Sequence, residues 1–77
     1  MKIEALIKMA NQIGAFFAGE GGEDHPDEAA KLTALHLRRY WEPRMRTQMI
    51  EYFKTNGGDG LDDTARNGVA LLADGKV

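Results

Sequence analysis

The sequence contains no cysteine and no serine. Without cysteine, no disulfide can staple the fold, and no thiolate can hold zinc or an iron–sulfur cluster. Without either residue, a Ser–His or Cys–His nucleophile is excluded, and only threonine, lysine or a carboxylate could serve. Histidine is scarce. His25 and His36 stand in different contexts and lack the i, i+4 partner of a helical metal site, so no metal site is expected. His25 reads as a loop or cap residue, and His36 as a helix-face residue at the core edge or an interface. No pair of residues forms an acid–base couple, so the chain is not expected to be an enzyme on its own.

Long apolar runs are missing as well. The most apolar stretch, Met1–Ala18, is interrupted by Lys2, Glu4, Lys8, Asn11 and Gln12, which fits neither a membrane span nor a signal peptide. No membrane contact is therefore expected, and the cytoplasm is the default location. The net charge of −2 argues against a general nucleic-acid binder, which would carry a basic balance. Gly57-Gly58-Asp59-Gly60 lacks the lysine and spacing of a phosphate loop, and Asp59, Asp62 and Asp63 lack the glycine and glutamate of an EF-hand. Strand-like alternation and internal repeats do not occur.

What remains is a helical chain. Its 77 residues, 43% of them apolar, suffice for one small domain over residues 1–77. We expect an all-α fold, a small bundle of three to four short helices. Such a core, without staples, leans on a partner or on self-association. In the first helix, about Ile3 to Phe17, Ile3, Leu6, Ala10, Ile13 and Phe17 form one apolar face, which Ile7, Met9 and Phe16 widen. Gly14 weakens that helix but lets another backbone come close. Phe16 and Phe17 read first as core residues, although they cannot easily share one face and one of them could pack on a partner.

Residues 19–25, Gly-Glu-Gly-Gly-Glu-Asp-His, read as a flexible, solvated loop. Pro26 suits the first position of a helix, with Asp24 or His25 at the cap and aspartate favoured. The second helix ends at Tyr40 or Trp41, with Ala30, Ala34, Leu37 and Trp41 on its inner stripe and Leu32, Leu35 and His36 beside it. Pro43 enforces a kink or a new helix. The third helix, about Arg44 to Thr55, turns Met45, Met49, Ile50, Tyr52 and Phe53 inward, and Asn56-Gly57-Gly58 stops it. Asp62 caps a fourth helix presenting Leu61, Ala65, Val69 and Leu72, and Gly75 closes it.

The most informative block is His36-Leu37-Arg38-Arg39-Tyr40-Trp41-Glu42-Pro43-Arg44-Met45-Arg46. It holds four of the five arginines and the only tryptophan. Arg38 and Arg39 lie in the last turn of a helix, where its dipole favours cations, whereas Arg44 and Arg46 lie early in the next, where it disfavours them. The second pair therefore needs another reason, either acids elsewhere in the chain or a partner. A bend at Glu42-Pro43 would carry all four guanidinium groups toward one corner. Arg38, Arg39, Tyr40, Trp41, Glu42, Pro43, Arg44 and Arg46 are the candidate partner- or anion-binding residues. Trp41 reads equally as a core anchor and as an exposed edge on which arginine stacks.

Three pieces, in order, carry a family resemblance: Ile7-Lys8-Met9-Ala10-Asn11-Gln12-Ile13-Gly14-Ala15-Phe16-Phe17, the arginine block above, and Gly57-Gly58-Asp59-Gly60-Leu61 followed by a short helix. Together they resemble the delta subunit of soluble, NAD-dependent, molybdenum- or tungsten-containing formate dehydrogenases. The loop from Gly19 to Asp24 lies outside the shared pattern. The resemblance implies a non-catalytic accessory subunit that docks on the catalytic alpha subunit and aids assembly, cofactor maturation or stability of the complex. It further implies no cofactor bound by this chain alone, with transient contact to the bis-molybdopterin guanine dinucleotide of the partner. The alternative, read from the arginine block itself, is a self-associating helical regulator that binds nucleic acid or another anionic partner.

Overall fold

The computed structural model describes residues 1–22 and 24–77. Among them four α-helices follow one another, α1 (Ile3–Phe17), α2 (Pro26–Tyr40), α3 (Pro43–Asn56) and α4 (Asp63–Ala73), and no strand occurs. They form one body with a radius of gyration of 11.0 Å, measuring 31 × 22 × 21 Å. None of the described helices is long and apolar enough to cross a membrane.

Proline and glycine set the helix boundaries. Pro26 and Pro43 each open a helix, where a missing N–H costs no hydrogen bond. Glu42 is extended (φ −63°, ψ 152°), the conformation a following proline enforces, so α2 ends and a new helix begins. Gly57 closes α3 in the left-handed conformation at φ 67°, its N–H donating to the Phe53 carbonyl at 2.8 Å. Gly75, at φ 69°, plays the same part after α4.

Three local expectations are corrected. His25, not Asp24, takes the cap position of α2, and neither side chain caps it. Instead the N–H groups of Asp24 and His25 both donate to the Gly21 carbonyl at 3.2 Å. Asp62 does stand at the cap of α4, but its carboxylate makes no capping bond. The expected Gly19–His25 loop begins inside a wide turn, Ala18–Gly22, that continues α1 until Glu20 and Gly21 leave helical dihedrals. Gly22 is buried at its end, where a Cβ would lie 2.7 Å from both the Ala29 methyl and the Phe17 carbonyl oxygen. Glu23, which belongs to that expected loop, lies outside the described residues.

α4 packs on all three other helices and most extensively on α2. Two glycines permit this. At Gly14 on α1, a Cβ would stand 2.9 Å from the backbone nitrogen of Ala65 on α4. At Gly68 on α4, a Cβ would stand 2.9 Å from Thr33 Cγ2 and 3.1 Å from the Ala30 carbonyl oxygen on α2. Around these contacts lie small residues, Ala29, Ala30, Thr33, Ala34 and Ala65, all buried. The Thr33 hydroxyl donates to the Ala29 carbonyl at 2.8 Å, so its burial leaves no polar group unpaired.

The larger core side chains fill the space this frame encloses. Leu6, Leu37, Trp41, Met49, Leu61 and Val69 are buried together, with Ile3, Ile7, Met9, Ile13, Met45, Tyr52, Phe53 and Leu72 packed around them. The inner stripe of α2 read from the sequence, Ala30, Ala34, Leu37 and Trp41, is wholly inside. Leu61 is buried in the turn before α4 rather than on the helix itself. Phe16, expected to widen the apolar face of α1, is 60% exposed.

Adding a single methyl group at either seam overfills it. Gly14→Ala and Gly68→Ala should each cost about 1–3 kcal/mol, read as a drop of roughly 4–8 °C in Tm per kcal/mol for a domain of this size. Gly19→Ala is the control, because a Cβ there meets nothing within 4 Å; its Tm should be unchanged or slightly raised.

Candidate functional site

The junction of α2 and α3 is built on the unpaired carbonyls that end any helix. Arg46, one turn into α3, reaches back over that end. Its Nη1 donates to the carbonyl oxygens of Arg38 at 2.9 Å and Trp41 at 2.7 Å. The guanidinium thus sits at the negative pole of the α2 dipole, which offsets its unfavourable place near the positive pole of α3. This gives Arg46 a reason within the chain, although the reason is a helix end rather than an acid. Trp41 secures the bend from inside. It is 5% exposed and packs in the main core, so of its two sequence readings the structure selects the core anchor.

Arg38, Arg39, Tyr40, Glu42, Pro43 and Arg44 remain on the surface. Among the described residues the one ion pair is Arg66 with Asp63, at 2.6 Å in the first turn of α4, so Arg38, Arg39 and Arg44 face no acid there. Arg38 and Arg39, consecutive in α2, lie on different arcs of that helix. Successive helical residues are rotated by about 100°. Arg39 therefore shares an arc of α2 with Leu32, His36 and Tyr40. Arg38 falls on the other flank with Lys31, which with Asp27, Asn67 and Leu71 borders a groove between α2 and α4.

Beside Arg39 the surface is aromatic. Phe16 meets Phe17 edge to face at a centroid distance of 5.2 Å, Phe17 meets His36 at 6.2 Å, and His36 tilts against Tyr40 at 4.8 Å. Phe16 and Tyr40, at the two ends of the row, are 60% and 71% exposed. Sequence reasoning marked His36 and Tyr40 separately. It did not join them to α1, because the contact arises only when α1 and α2 pack. Among the described residues no group of three or more His, Asp or Glu is placed to hold a metal ion.

The other two sequence pieces meet on the opposite side of α1. Asn11 bridges from α1 to the α3–α4 turn: its Nδ2 donates to the Gly60 carbonyl at 3.0 Å, and its Oδ1 accepts the Asp62 N–H at 2.8 Å. The second bond occupies a backbone donor at the start of α4. Three glycines with positive φ, Gly57, Gly58 and Gly60, shape this turn, and the Tyr52 hydroxyl donates to the Asp59 carbonyl across it at 2.6 Å. Gly14, nearly one turn beyond Asn11, receives the backbone of α4 at Ala65. Asn11 and Gly14 of the first piece therefore seat the third, and the second piece forms the far junction.

Residues 5–69 match the family described as NADH-dependent formate dehydrogenase delta subunit, FdsD. The chain belongs to this family. The match takes in the three sequence pieces almost whole and most of all four helices, so the delta-subunit pattern extends across the fold rather than resting on one motif. No match to the chain was found among curated proteins or among solved structures.

In this chain, Arg46 and Asn11 hold the scaffold, and their loss should register as stability. Arg46→Ala should cost about 1–2 kcal/mol, the range for charge-assisted bonds to carbonyls that are partly wet, whereas Arg44→Ala should stay within about 0.5 kcal/mol of the parent. Asn11→Ala should cost about 1–2 kcal/mol through its two bonds. Urea unfolding followed by circular dichroism measures all three; equal midpoints for the two arginine variants would refute the capping role of Arg46.

Proposed function

We propose that this chain is a non-catalytic accessory subunit of an NADH-dependent formate dehydrogenase, docking on the catalytic alpha subunit through the outer surface of the α2–α3 junction. The observation that carries this reading is that Arg38, Arg39 and Arg44 are exposed and meet no acid among the described residues, in a chain whose net charge is −2. Guanidinium groups recognise carboxylates through paired, charge-assisted hydrogen bonds. Membership in a delta-subunit family supplies the complex in which such carboxylates would lie.

Docking serves assembly, cofactor maturation or stability of the complex. The chain brings no redox centre of its own, in keeping with a sequence free of cysteine. If it acts during cofactor insertion, the same arginines have the charge and fork geometry to touch the phosphates of a bis-molybdopterin guanine dinucleotide while the partner's site is open.

Tagging the C-terminus in the native host and identifying co-purifying proteins by mass spectrometry tests this. Formate dehydrogenase subunits should be recovered in fixed ratio. The double variant Arg39→Glu/Arg44→Glu should reduce that recovery by about tenfold or more, with an unchanged circular dichroism spectrum because both side chains are exposed. Full recovery by the double variant would refute docking through this surface. Recovery of the apo catalytic subunit alone would identify a maturation factor rather than a resident subunit.

A further inference from the structure

Resting on the docking reading above, we infer that the partner contact centres on the aromatic row Phe16–Phe17–His36–Tyr40, with Arg39 as its charged edge, and that its occupant is an amphipathic helix of the partner protein carrying a carboxylate opposite Arg39.

The row is a surface feature with no role in the core. Phe16 and Tyr40 are 60% and 71% exposed, and Leu32, on the same arc of α2, is 40% exposed. A lone exposed apolar residue is ordinary, but a contiguous patch rimmed by polar groups marks a contact surface. The inner members, Phe17 and His36, are half-buried and hold the outer two through edge-to-face and tilted contacts at 5.2 and 4.8 Å. The outer aromatics are thus pre-ordered, which reduces the entropy lost on binding. Among the described residues the Tyr40 hydroxyl makes no hydrogen bond, so it retains a polar handle next to an apolar face.

Charge selects the occupant. At one end of the arc Arg39 has no acid against it among the described residues. At the other end, one helical turn before Leu32, stands Glu28, exposed, with Glu20 beside it across a shallow depression lined by Phe17 and Leu32. The surface therefore runs from acidic to basic along an apolar strip between α1 and α2. An amphipathic helix laid along this strip, with apolar side chains on the row and a carboxylate at the Arg39 end, matches it in both shape and sign. A phosphate-bearing ligand would need converging cations, and here Arg38 lies on the far flank while Arg46 is bound to the end of α2.

The test compares variants of the tagged chain for recovery of the other formate dehydrogenase subunits, each variant first checked for an unchanged thermal melt. Phe16→Ser/Tyr40→Ser, with every arginine intact, should lose about tenfold or more of the recovery, as should Arg39→Glu. Lys31→Glu, which makes the same charge change at an exposed position on the other flank of α2, should retain it. If the aromatic double variant binds normally, the inference is overturned, and a loss confined to Arg39→Glu leaves arginine-mediated docking standing. A parent chain that recovers no formate dehydrogenase subunit overturns both.

Discussion

The fold depends on how closely α4 can approach α1 and α2. Gly14 admits the Ala65 backbone, and Gly68 admits Thr33 and the Ala30 carbonyl, with no room for a Cβ at either place. A helix that touches three others must offer small residues wherever axes come close, because interaxial distance is set by the side chains at the crossing. Once α4 is seated, the larger residues Leu6, Leu37, Met49 and Val69 find one enclosed volume and become fully buried. Asn11 contributes at the edge of the same contact, holding Gly60 and Asp62 at the entry to α4. With no disulfide, this small-residue frame and its edge bonds are what keep so short a chain in one arrangement.

Helix number and boundaries were legible in the sequence because they depend on local chemistry. Pro26 and Pro43 open helices, Asn56-Gly57-Gly58 closes one, and the Ala30, Ala34, Leu37, Trp41 spacing marks an inner stripe. Gly14 was readable as a point of close approach, since glycine inside an apolar helix needs a reason. What was not legible depends on partners distant in sequence. Nothing near Asn11 says that it will meet Gly60 and Asp62, 49 and 51 residues away. Gly68 and Thr33 form a seam only once two helices are aligned. Asp62 has the cap position without the capping bond, and what ties it down is its own N–H donated to Asn11 Oδ1.

The arginine block shows where composition stops being informative. Four arginines in nine residues read as one binding feature. In the folded chain they divide. Arg46 stabilises the end of α2, Arg38 and Arg39 point to different flanks, and Arg44 stands at the start of α3. The division follows from helical rotation and from the bend that Pro43 enforces, neither of which charge counting includes. It also removes the paradox of a cation early in a helix: the field that Arg46 feels is that of α2 as well as α3.

The placement of the aromatic residues completes the same reasoning. Tyr40 and Trp41 are consecutive, yet one is 71% exposed and the other 5%. Phe16 and Phe17 divide in the same way, one outside and one half-buried. A core assembled largely from alanine, glycine and a few aliphatic residues encloses Trp41 and seats Tyr52 and Phe53 at its margin. Phe16, Phe17 and Tyr40 lie instead with His36 on one strip where α1 meets α2. Exposed rings are costly in water and add little to the stability of the isolated domain. In a subunit they are favoured when a partner covers them. The division between Trp41 inside and Tyr40 outside thus separates two demands on one short sequence, a buried anchor that holds the junction in shape and an ordered face that the junction presents.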